Sequence, residues 1–142
     1  MSVSHQQFLE RLAHAFCAGH LGQVAEHFVY PMPYYSDHGL VVFGSTGTLS
    51  EGLALYHQAC KANGVDRITP RIVAEGMTIR GYSNVWVEWD HFDHAGVCMR
   101  TSQVRYVLFQ ETGALFPKIE MVDYTVQAFP EVNDDMPAMA TA

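Results

Sequence analysis

One boundary constrains this chain more than any other. At Asn63-Gly64 the spacing of apolar residues changes from helical to alternating. Upstream, Phe8, Leu9, Leu12, Ala15 and Phe16 recur on one helical stripe, and Leu21, Val24, Ala25 and Phe28 on a second. Leu49, Leu53, Tyr56 and Cys60 form a third, with His57 one turn beyond Leu53. Downstream, "RITPRIVAEGMTIRG", "NVWVEWDHFD", "MRTSQVRYVLFQ" and "FPKIEMVDYTVQAF" are rich in Val, Ile, Thr and aromatics, and Gly-containing turns part them. The order helix–helix–strand–helix and then four strands predicts a single α+β domain.

Local signals place the ends of these elements. Ser4-His5-Gln6-Gln7 has the form of a capping box, and Gly19 closes the first helix. In "FVYPMPYYSDHG" (28–39), Pro31 and Pro33 push Tyr30 and Met32 into extended geometry and end the second helix. Asp37-His38-Gly39 reads as a turn, with Asp capping its own backbone, ahead of a short buried strand in "LVVFGSTG" (40–47). Thr48-Leu49-Ser50-Glu51 is a second capping box, predicting a helix from about Leu49 to Ala62. The domain is expected to span residues 1–130, followed by a flexible acidic tail over 131–142.

Composition removes several function classes. The formal charge is −7 with only eight Lys plus Arg, scattered along the chain, which argues against nucleic acid. No apolar run approaches the roughly 20 residues that span a bilayer, and the start lacks the pattern of a secretory signal. Three dispersed cysteines (Cys17, Cys60, Cys98) fit reduced thiols in a cytoplasmic protein. No P-loop, G-x-G-x-x-G or G-x-S-x-G is present, so neither a nucleotide cofactor nor a serine nucleophile is implied, and no cofactor is expected.

The hairpin turns "DHAG" (93–96) and "QETG" (110–113) carry Gly where a three-residue loop needs a left-handed residue. Counting outward from them sets Trp89 opposite Thr101, Thr101 opposite Asp123, and Arg105 opposite Ile119. The concave face would then hold Trp89, His91, Thr101, Arg105, Ile119, Met121 and Asp123. A single β-bulge would exchange the faces of part of a strand. On that face Asp123 is a carboxylate among apolar neighbours, and desolvation would raise its pKa toward that of a general base. The bland alternative is a carboxylate hydrogen-bonded by Thr101 or Thr125, or one facing water.

The order of elements resembles the nuclear transport factor 2-like superfamily, in particular its SnoaL-like polyketide cyclase and ketosteroid isomerase group. The resemblance covers about residues 4–129 and rests on the paired amphipathic helices, "YPMPYY", the capped third helix and "RYVLFQETGALFPKIEMVDYT". It implies a strongly curved, mostly antiparallel sheet wrapped around helices as a conical α+β barrel, and commonly a homodimer through the outer sheet face. It also implies a pocket for a hydrophobic small molecule, used by relatives for isomerisation, cyclisation, dehydration or hydrolysis, or for binding alone.

Within that frame the expected catalytic residues are Asp123 as base, a tyrosine such as Tyr30 as oxyanion donor, and His57 or His91 as second donor. Tyr34, Tyr35, Trp89, Thr101, Arg105, Ile119 and Met121 are expected to bind substrate; Arg105 could equally pair with Glu26. "DHFDH" (90–94) invites a metal reading, but His91 and His94 point to opposite faces of a strand. A remote set of His57, His91 and Asp123 lacks a ligand-spacing signature, and no metal site is expected. Two functions stay open: cofactor-independent acid–base chemistry on a carbonyl compound, or a non-catalytic binding or interaction module of the same fold.

Overall fold

The computed structural model describes residues 3–134. Helix α1 (His5–Cys17) starts at the expected capping box, where Ser4 Oγ accepts the Gln7 N–H and Gln7 Oε1 accepts the Ser4 N–H, both at 3.1 Å. Helix α2 (Leu21–Ala25) follows, then β1 (Met32–Ser36) and β2 (Gly39–Phe43), an antiparallel hairpin turned by Asp37 and His38. Helix α3 (Thr46–Ala62) begins one turn before the expected Thr48 box. Ser45 is its N-cap, taking the Thr48 N–H at 3.3 Å while Thr48 Oγ1 takes the Ser45 N–H at 3.2 Å. A threonine hydroxyl thus does the work of the glutamate in the usual box.

Strands β3 (Val65–Glu75), β4 (Tyr82–Asp93), β5 (Cys98–Phe109) and β6 (Lys118–Val126) complete one six-stranded sheet of order β2-β1-β6-β5-β4-β3. All pairs are antiparallel except β1–β6. The segment after Pro31, expected only as a helix exit, is therefore a strand paired on both sides. Strand β2 is less buried than expected, with Leu40 and Val42 exposed and Phe43 buried, because it forms an edge. A 3₁₀ helix (Pro130–Asp134) follows β6 and buries Val132 and Asn133. The expected tail thus begins with packed residues, and 135–142 lie outside the described residues.

The cross-strand register differs from the count made outward from the turns. A bulge between His91 and Phe92 offsets β5 by one residue, so Trp89 faces Ser102 and Asp90 faces Thr101. The side-chain period of a strand is two, so this step turns the whole of β5 over. Ser102, Val104, Tyr106 and Leu108 point to the core, while Thr101, Gln103, Arg105 and Val107 point away. Strand β6 follows, because Arg105 pairs with Asp123 rather than Ile119. A second bulge, at Glu120, returns Ile119 to the inside.

The helices cover this inner face. Phe8, Leu9, Leu12 and Phe16 of α1 and Leu49 of α3 are buried against Val85, Val87, Val104, Leu108, Ile119 and Val122. Each such side chain contributes about 1.5–3 kcal/mol relative to an exposed one. No helix among the described residues is long and apolar enough to cross a membrane.

Candidate functional site

Between the helices and the inner face lies a cavity of about 110 Å³. Leu12, Phe16, Leu49 and Leu53 close it from the helices, and Met32, Phe43, Ile68, Ile119 and Val122 from the sheet. Its polar atoms come from Tyr34, Tyr56, Trp89, His91, Tyr106 and Tyr124. Among the described residues no Asp, Glu, Lys or Arg lines it.

Those polar groups form ordered hydrogen-bond chains. His91, fully buried, has Nδ1 at 2.9 Å from the Trp89 carbonyl oxygen, which can only accept, so Nδ1 carries the proton. Nε2 is then an acceptor, and the Tyr56 hydroxyl donates to it at 2.5 Å. The Tyr56 oxygen lies 3.5 Å from Ser102 Oγ, which in turn accepts the Ala128 N–H at 3.0 Å. Burial is the main influence on His91 and lowers its pKa below 6.5, and it raises that of Tyr56 well above 10. Both groups are held neutral. A second chain runs from Trp89 Nε1–H to the Tyr106 oxygen at 2.8 Å. Tyr34 accepts from the Gln127 side-chain amide and donates to Asn133 Oδ1 at 3.3 Å.

The structure gathers only some of the residues expected from the sequence. Tyr34, Trp89, His91 and Ile119 line the cavity. Asp123, Thr101, Arg105 and Met121 do not, since the bulge at His91 puts them on the outer face. Asp123 accepts there from Arg105 Nη2 at 3.3 Å, with each side chain about one-third exposed at 32%. Arg105 also donates to Asn84 Oδ1 at 2.7 Å, and Thr101 to Asp90 Oδ1 at 2.9 Å. The partner weighed for Arg105, Glu26, is thus replaced by Asp123. Tyr35, paired in register with Asp123, is exposed. Tyr30 is outside the cavity and donates to the Ala25 carbonyl at 2.6 Å. Its pKa is pushed up to about 12, chiefly by burial.

His57 sits edge-on against Phe16, with ring centres 5.3 Å apart, in a separate recess with Cys17 and Cys60. Among the described residues no group of three His, Cys, Asp or Glu side chains converges as a metal site.

Tyr56, Tyr106 and Tyr124 were not anticipated as site residues. A signal for Tyr106 was available. Along β5, Ser102-Val104-Tyr106-Leu108 is more apolar than Thr101-Gln103-Arg105-Val107, and this contrast outweighs any count from a turn.

No family model matches this chain, and no curated protein matches its sequence. Solved structures do match its fold. A domain of unknown function with a cystatin-like fold from Nostoc punctiforme superposes with a TM-score of 0.64 at 14% identity, over 96% of this chain and 83% of that one. An NTF-2-like protein of unknown function from Shewanella oneidensis gives 0.61 at 15%, over 84% and 93%. A protein from Catenulispora acidiphila, determined in complex with S-DNPA, gives 0.60 at 13%, over 84% and 89%. The architecture is thus an NTF2-like, cystatin-like α+β fold, and one neighbour of that fold binds a small molecule.

Proposed function

We propose that this chain is a SnoaL-like pocket protein that receives a hydrophobic small molecule in the cavity under α1 and α3. One observation carries the reading: the cavity is apolar and uncharged, and its few polar groups are hydroxyls and ring nitrogens. Apolar walls supply affinity, and sparse polar groups fix orientation. The test is a methyl NMR titration with 4-fluorotoluene. Shifts should concentrate on Leu12, Leu49, Ile119 and Val122. Shifts confined to outer-face methyls such as Val107, or none, would refute the reading.

A second reading, acid–base catalysis on a carbonyl compound, is favoured by the 2.5 Å contact between Tyr56 and His91. With Asp123 on the outer face, the base would be this pair. A substrate Cα–H proton would pass to the Tyr56 oxygen as the Tyr56 proton passes to His91 Nε2, and the Trp89 carbonyl would hold Nδ1–H of the imidazolium. The electron pair left on carbon would delocalise onto the carbonyl oxygen as an enolate. In D₂O this predicts methyl deuteration of 4-fluoroacetophenone faster than without protein, with the excess lost in His91→Gln. Equal rates with and without protein would leave binding alone. A homodimer through the outer sheet face belongs to the same proposal, supported by the exposed Trp86 on β4. Trp86→Glu should then lower the sedimentation coefficient; a wild-type monomer would remove the dimer.

A further inference from the structure

Two of the three cysteines meet in the fold, although α2, β1 and β2 all lie between them in the chain. Cys17 is the last residue of α1 and Cys60 lies in the last turn of α3. Both border one recess of about 50 Å³, together with Phe16, His57 and Lys61. Their surroundings differ. Cys17 is exposed, whereas Cys60 is 4% exposed. Burial, and then the charge that Cys17 can carry, push the Cys60 thiol up to about 12. Cys60 therefore keeps its proton while Cys17 meets solvent. His57 stands one turn before Cys60 and edge-on to Phe16, the neighbour of Cys17. Cys98, exposed at the start of β5, does not border the recess. Phe16 lines the cavity as well, so recess and cavity share a wall between the same two helices.

We propose that Cys17 and Cys60 form a thiol-oxidation site, which hydrogen peroxide converts into a disulfide tying α1 to α3. The accessible sulfur reacts first. The Cys17 thiolate attacks one peroxide oxygen, so that an S–O bond forms and the O–O bond breaks. The hydroxide that leaves takes up the proton Cys17 gave away, by way of His57, the imidazole that shares the recess. The Cys60 sulfur then attacks the sulfenic sulfur of Cys17. The S–S bond forms, the S–O bond breaks, and hydroxide departs with the Cys60 proton as a second water. Two thiols lose two electrons, and one peroxide becomes two waters. A disulfide holds its Cα atoms about 4.4–6.8 Å apart. Cys17 ends its helix two residues before Gly19, which has a φ of 80° and open space around it, so the terminal turn of α1 has room to adjust.

The test is a disulfide map of the whole chain. Reduced protein is treated with one equivalent of hydrogen peroxide, blocked with N-ethylmaleimide, digested with trypsin and read by tandem mass spectrometry. The folded protein should yield a link between Cys17 and Cys60, and its free thiols should fall from three to one. In urea the same treatment should scatter links over all three cysteines, which shows that the fold makes the choice. Cys60→Ala removes the second sulfur, so the sulfenic acid of Cys17 should persist and be trapped by dimedone. Cys17→Ser should give no link within the chain. A link through Cys98, a link between two chains only, dimedone on Cys60 in the wild-type protein, or no link at all would each overturn the proposal. The wild-type map decides the question even where a variant fails to fold.

Discussion

On the outer face of the sheet, Arg71 reaches both Glu88 and Asp90, at 3.2 Å each, and Arg105 reaches Asp123. The polar atoms that line the cavity on the other side are phenols, an indole and an imidazole, none charged. Strands β4, β5 and β6 supply residues to both sets, on alternate positions. Water screens the outer pairs, so they tolerate one another's absence and add little stability. The inner groups have no water to fall back on, and each must find a partner or a ligand. Polar residues facing solvent can be exchanged freely, whereas those facing in define what the cavity accepts.

The largest test of this contrast is a charge moved to the wrong side. Val104→Asp, at a position 2% exposed, should cost about 4 kcal/mol or more in urea unfolding, while Gln103→Asp next to it should cost less than about 1 kcal/mol. Similar losses for the two would mean that the faces are not as different as their chemistry suggests. Next in size, Tyr56→Phe strips the donor from His91 Nε2 and should cost about 1–3 kcal/mol, the penalty of a buried acceptor left unpaired. A cost near zero would show that Nε2 has another partner.

Acidification probes the same groups. Burial holds the native pKa of both His91 and His27 below 6.5, so the unfolded chain takes up protons that the native one refuses. Stability is full above pH 6.5 and falls as the pH drops below it, until the native histidines also titrate. The urea midpoint at pH 5.5 should therefore lie below that at pH 7.5. Imidazole ¹⁵N spectra at pH 7.5 should show His91 neutral and protonated on Nδ1; a proton on Nε2 instead would refute the hydrogen-bond assignment. The smallest effect belongs to Asp123→Asn, which should change stability by less than about 1 kcal/mol, less still in high salt, and leave 4-fluorotoluene affinity untouched.

Much of the fold was legible because hydrophobic spacing is a local quantity. The stripes of α1 and α3, the four long strands and the Ser4 cap all follow from near neighbours in the chain. The inner face of β4 was legible too, since Val85, Val87, Trp89 and His91 alternate without interruption. What local spacing does not carry is the parity between strands. One extra residue, Met99 of β5 opposite the His91–Phe92 step, exchanged the sides of Asp123 and Tyr124, so the site appeared as a carboxylate where the protein places a phenol. The hairpin turn at 110–113 likewise does not set the pairing of β5 with β6, because residues 114–117 intervene before Phe109 meets Lys118.

The strand order has a consequence for how the molecule comes into being. Strand β6 lies between β1 and β5, yet follows every strand it joins. During synthesis the β1–β2 hairpin and the β3–β5 meander can form early, but they share no edge until β6 has emerged and slid between them. Tyr34 and Tyr106 belong to these separate pieces and meet across a strand made last. The nascent chain thus carries two uncovered apolar surfaces for most of its time on the ribosome, and closure waits on a long-range insertion of the kind that makes folding slow. A stop codon ahead of β6 would leave two fragments of a sheet that share no edge.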